Sequence, residues 1–131
     1  MRCGVTRRCY SWRSCWQEQA NAKTITGELR KAAEDFFQRH VEIGGAGRTD
    51  AGVHAEGQVA AFDTTKTHIE PHGWMHGLNQ RLPNDVAVRA AERCAVGYTP
   101  RFDAVDKTYR YLVLATEPRH PLWRARAWHV Q

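Results

Sequence analysis

The chain has 131 residues, 42% hydrophobic and 25% charged, with a formal net charge of +5, which fits one soluble globular domain or part of one with a modest core. No apolar run approaches the ~20 residues of a membrane helix, and neither an internal repeat nor a low-complexity linker is present. The charge alone does not argue for nucleic acid: residues 1–17 hold four arginines and no acid, residues 18–100 nine basic against eleven acidic, and residues 101–131 six against three. Only the last segment could bring a basic surface to phosphate, and a solvated charged face explains it equally well.

Residues 1–15, MRCGVTRRCYSWRSC, show no period of 2 or 3.6 and read as an irregular segment whose Arg-rich, acid-free composition superficially suggests a transit peptide. From Thr24 the pattern sharpens. Ile25, Leu29, Ala32, Ala33 and Phe36 recur at helical spacing and predict a helix ending near His40. Residues 41–43, VEI, read as a short strand feeding a glycine-rich loop, and Gln58 to Thr64 as a small-residue strand. Residues 70–83, EPHGWMHGLNQRLP, predict a helix with Pro71 in its first turn, Trp74, Met75 and Leu78 inward and Pro83 as its stop. Val86, Val88 and Ala90 alternate as on a half-buried strand. KTYRYLVLAT, residues 107–116, is the strongest strand signal, and RARAWHVQ begins another. Helices among hairpin-like strands predict an α+β fold, a mixed, largely antiparallel sheet with helices packed on one face.

The four cysteines, Cys3, Cys9, Cys15 and Cys94, form no CxxC pair. With no apolar signal-peptide core they read as free thiols in a reducing, cytoplasmic setting. His68, His72 and His76 follow at four-residue intervals, but Pro71 and Gly73 disturb the helix face and no carboxylate or cysteine stands at ligand spacing, so no metal site is expected. No serine occupies a nucleophile elbow, and no cysteine has a nearby basic partner able to take its proton, since the adjoining Arg2, Arg8 and Arg93 stay protonated.

The chemistry concentrates in GAGRTDAGVHAEGQVA, residues 45–60, where Gly44, Gly45, Gly47, Gly52 and Gly57 surround a single aspartate, Asp50. It is neither a dinucleotide fingerprint, because Asp50 stands where the third glycine belongs, nor a Walker loop, because Val53 and His54 replace the lysine and hydroxyl residue. Two readings of Asp50 remain: a turn former bonding its own backbone, or a carboxylate aimed into a cleft as nucleophile or base. Arg48 could contact phosphate or stack on a base. Tyr109 could be core packing or a platform for an unpaired base.

GAGRTDAGVHAEGQVAAFDT closely resembles the signature of the tRNA pseudouridine synthases of the A type (the TruA family). WQEQANAKTITGEL at 16–29, LNQRLPNDVAV at 78–88, RFDAVDKTYRYLV at 101–113 and RHPLWRARAWHV at 119–130 resemble further family blocks in the same order. The resemblance covers residues 16–131, the N-terminal part of a pseudouridine synthase catalytic domain. It implies isomerisation of uridine to pseudouridine in the anticodon stem-loop of tRNA without metal or organic cofactor, by a homodimer. It further implies that Asp50 is the catalytic carboxylate, that Arg48 holds the target nucleotide out of the stack, and that Tyr109 packs against the flipped uracil.

Family members begin with a strand bearing a Tyr-Asp-Gly turn, whereas here only Trp16-Gln17 matches. A frameshifted or misassigned start accounts for residues 1–15 better than a transit peptide does. Gln131 falls near the middle of a typical member. The remaining half normally supplies the rest of the sheet and a basic partner for the aspartate. The chain as written is therefore expected to be poorly stable and weakly active, the alternative being a non-catalytic tRNA-binding fragment or a gene remnant.

Overall fold

The computed structural model describes the backbone of residues 2–7, Trp16, and residues 23–131. Its elements in chain order are β1 (Arg2–Arg7), α1 (Ile25–Phe37), β2 (Gly44–Gly45), β3 (Ala55–Ala61), α2 (Pro71–Asn79), β4 (Val86–Glu92), β5 (Val113–Ala115), a 3-10 turn (Pro121–Trp123) and β6 (Trp128–Val130). The first four strands form one antiparallel sheet in the order β2-β3-β1-β4, and β5 and β6 form a separate parallel pair. The mixed, largely antiparallel α+β class expected from the sequence is what the chain adopts.

Helix α1 starts where Thr24, extended at φ −126°, accepts a hydrogen bond from the Gly27 N–H at 3.1 Å, satisfying one of the otherwise unpaired first-turn donors. Its apolar stripe buries Ile25, Leu29, Ala32, Ala33 and Phe37, while Phe36 is only partly buried. In α2 Pro71 occupies the first turn, Trp74 and Leu78 are fully buried and Met75 packs beside them. Both helices join Ala60 and Phe62 at the end of β3 and Val86 and Val88 of β4 in one core. Its centre is aromatic, with Phe37, Phe62 and Trp74 ring centroids 4.7–5.6 Å apart, a spacing that favours tilted contacts.

Several boundaries differ from the sequence reading, each for a local reason. Residues 41–43 are not a strand: the Val41 N–H bonds the Glu34 carboxylate at 3.3 Å, and sheet pairing begins only at Gly44 opposite Ala61. Strand β3 runs from Ala55 to Ala61 rather than from Gln58 to Thr64, because its partner β1 spans Arg7↔Ala55 to Arg2↔Ala61. The alternation of β4 holds at Val86 and Val88 but fails at Ala90, which is exposed. There Gly4 pairs with Ala90 and Val5 with Val88, so Arg89 is an extra residue. This bulge reverses the faces and turns Ala91 toward the core instead.

Strand β1 carries no alternating pattern, yet it occupies an interior place in the sheet. Register shifts on either side of it, between Gly4 and Val5 and between Val5 and Arg7, break the period of two. Cys9 and Cys15 and most of the irregular segment lie outside the described residues, as does the Cys3 side chain; Cys94 is a free thiol. The largest departure is at the C-terminal end. KTYRYLVLAT yields only the three residues of β5, and Lys107 to Leu112 form no strand. Beyond Leu112 O, which accepts from the Trp128 N–H at 2.7 Å, they join no ladder among the described residues, and an alternating pattern without a ladder partner has nothing to hold it extended.

Candidate active site

The glycine-rich loop leaves the sheet at β2 and returns at β3, and Trp16 fastens it from below. The Trp16 ring lies against Gly45 so closely that a Cβ there would overlap the indole, and the Trp16 N–H donates to the Thr49 carbonyl at 2.9 Å. Thr26 anchors Trp16 in turn, its backbone N–H and hydroxyl donating to the Trp16 carbonyl at 3.2 and 2.5 Å. On the other side the Ala46 N–H donates to Val59 O at 2.9 Å and Gln58 Nε2 to Gly47 O at 2.5 Å. The loop is thus gripped at residues 45, 46, 47 and 49, immediately before Asp50.

Asp50 opens a tight turn closed by Val53 N–H to Asp50 O at 3.2 Å, with Gly52 at φ +83°, the left-handed value that the third turn position of this kind demands. The turn is made by backbone. Among the described residues the Asp50 carboxylate forms no hydrogen bond and no ion pair, so it is not the side-chain turn former of the first reading. Asp50 and Arg48 are both exposed, and an anchored loop carrying an uncommitted carboxylate is suited to act on a bound partner.

Tyr109 is 75% exposed and Tyr111 83% exposed, so neither packs in the core of this chain. The segment bearing Tyr109 nevertheless runs beside the loop. A Cβ placed on Gly47 would lie 3.6 Å from Lys107 Nζ, Arg110 stands 4.0 Å from Glu56, and His54 Nε2 lies 3.3 Å from Ala125 O. No hydrogen bond or ion pair joins Arg48, Asp50 and Tyr109 to one another among the described residues. Trp16, Gln58 and Lys107 are the neighbours that sequence reasoning did not assign: Trp16-Gln17 and KTYRY were legible as blocks, but which side chain braces which loop depends on the fold.

Elsewhere, His72 and His76 stack edge-on at 4.7 Å on α2, and no group of three His, Cys, Asp or Glu among the described residues could hold a metal ion. No helix among them is long and apolar enough to cross a membrane.

The architecture is thus a sheet backed by helices, with the aspartate loop joining its edge strand β2 to β3. A family model described as tRNA pseudouridine synthase matches residues 8–103, and the chain belongs to that family. Among relatives named tRNA pseudouridine synthase A, that of Geobacter sulfurreducens is 44% identical over 116 residues, covering 88% of this chain and 47% of the relative. That of Methylacidiphilum infernorum is 40% identical over 115 residues, covering 88% and 45%, and that of Coxiella burnetii 41% over 115 residues, covering 87% and 44%. The chain spans about half the length of the curated relatives it matches.

Proposed function

We propose that this chain carries the aspartate loop of a tRNA pseudouridine synthase that isomerises uridine in the anticodon stem-loop, acting as a cytoplasmic homodimer. The observation that carries the reading is the anchored loop with an exposed carboxylate unbound among the described residues, in a chain of this family.

The reaction breaks the C1′–N1 glycosidic bond, rotates the uracil and forms a C1′–C5 bond, with the C5 proton lost afterwards. Asp50 serves it by adding to the sugar or base, or by removing a sugar proton to give a glycal. Arg48, two residues away on the same exposed loop, enters the stem and keeps the nucleotide unstacked. Tyr109 offers its ring face to the extruded base. Trp16 and Gln58 hold the loop so that the carboxylate meets its target without first ordering the backbone.

The test joins this chain to the C-terminal portion of the Geobacter sulfurreducens relative and assays pseudouridine in an unmodified tRNA transcript. The hybrid forms pseudouridine, and Asp50→Ala lowers the rate by at least about 10²-fold while tRNA binding persists. A folded hybrid that binds tRNA without isomerising it overturns the reading in favour of a non-catalytic tRNA-binding module.

A further inference from the structure

We propose that Lys107 is a substrate-positioning residue that holds the RNA sugar–phosphate backbone over Gly47, working beside Arg48; the inference rests on the tRNA reading above. Lys107 Nζ lies 3.6 Å from where a Gly47 side chain would begin, so the ammonium sits over bare backbone. The Gly47 carbonyl already accepts from Gln58 Nε2 at 2.5 Å. Among the described residues Lys107 has no ion pair.

The acids nearest to it in sequence or on the facing strand are engaged elsewhere or exposed. Asp103 accepts from the Thr99 N–H at 2.7 Å, Glu56 faces Arg110 at 4.0 Å, and Asp106 is exposed to solvent. Arg48 is a second cation without an ion pair among the described residues. With Arg48 on the loop and Lys107 set against Gly47 from a separate segment, the positive charge gathered there is offset by a bound anion, and a phosphate is the anion that a tRNA brings. The missing side chain at Gly47 leaves room for it to approach the loop. Lysine here acts as a point charge, contributing affinity and register without reading sequence.

The salt dependence of binding reads this directly. Binding of an unmodified tRNA transcript to the 131-residue chain is followed by fluorescence anisotropy across a salt series for the wild type, Lys107→Ala, Lys107→Gln and Lys107→Arg. Removing one phosphate contact reduces the slope of log K against log salt by about 0.7–0.9. Raising salt from about 50 to about 200 mM then weakens the variant roughly threefold less than the wild type. Lys107→Arg keeps the slope, and a transcript with the target uridine replaced by cytidine shows the same change.

An unaltered slope in both Lys107→Ala and Lys107→Gln overturns the proposal, as does the absence of salt-dependent binding by the wild-type chain. Loss of isomerisation in a Lys107→Ala hybrid with an unaltered slope does so too, because it assigns the lysine to the Asp50 carboxylate instead. Failure of the wild-type hybrid to isomerise uridine leaves the binding slopes standing, so the two readings fail separately.

Discussion

At the scale of single residues, the contact between Gly45 and Trp16 governs where Asp50 stands. Trp16 is 6% exposed and its backbone N–H and carbonyl are both bonded, so the indole has little open space to swing into and its backbone is held from carrying it away from an added methyl. Gly45→Ala therefore destabilises the chain by about 1–3 kcal/mol, the usual penalty for overfilling a packed site, measured by urea unfolding. In a Trp16→Leu background the same substitution costs less, and the difference is a coupling of at least about 0.5 kcal/mol. Additive effects would show that the ring does not set the loop. Asp50 itself was legible as the single aspartate among glycines; that its turn is closed by backbone, leaving its carboxylate uncommitted within the described residues, is decided by three-dimensional hydrogen bonding and has no signature in the residue order.

Among elements, the outer edge of β4 is capped at Val88 by one side chain. Asn79, the last residue of α2, donates from Nδ2 to Val88 O at 2.9 Å and accepts from the Val88 N–H at Oδ1 at 2.8 Å. The carboxamide imitates the peptide of a further strand and blunts an edge that would otherwise invite pairing. Val88 is 2% exposed, so Asn79→Ala leaves a buried donor and acceptor unmet and costs about 1–3 kcal/mol. Asn79→Asp restores only the acceptor and recovers little. Thermal melts of the two variants test this, and an unchanged midpoint for Asn79→Ala would sink it. Both helices could be read from sequence because Ile25, Leu29, Trp74 and Leu78 keep a period that a single buried face imposes. The strands were harder. Their limits follow from partners distant in the chain, as at Ala55–Ala61, and the bulge at Arg89 interrupts the alternation on which strand reading depends.

For the whole molecule, the buried core and the apolar surface belong to different parts of the chain. Among the described residues, buried hydrophobic side chains run from Trp16 to Val88, whereas Phe102, Val105, Tyr109, Tyr111, Leu122, Trp123 and Trp128 are exposed. Exposed apolar clusters of this kind promote association. A chain cut after Asp103 retains Pro100 against Gly44 and the Asp103 cap on Thr99. It is expected to melt within about 4 °C of the 131-residue chain, a shift of at most about 1 kcal/mol, and to remain monomeric at concentrations where the longer chain self-associates in light scattering. A collapse of its melting transition would place residues 104–131 in the core after all. The interior position of β1 has a consequence for synthesis. Its partners are Ala55–Ala61 and Val86–Glu92, so a strand made first must wait for its last neighbour while roughly 85 residues are translated, about 4–17 s at ~5–20 residues per second. Through that interval the nascent chain holds an unpaired strand edge, and binding by a ribosome-associated chaperone is the natural protection for it.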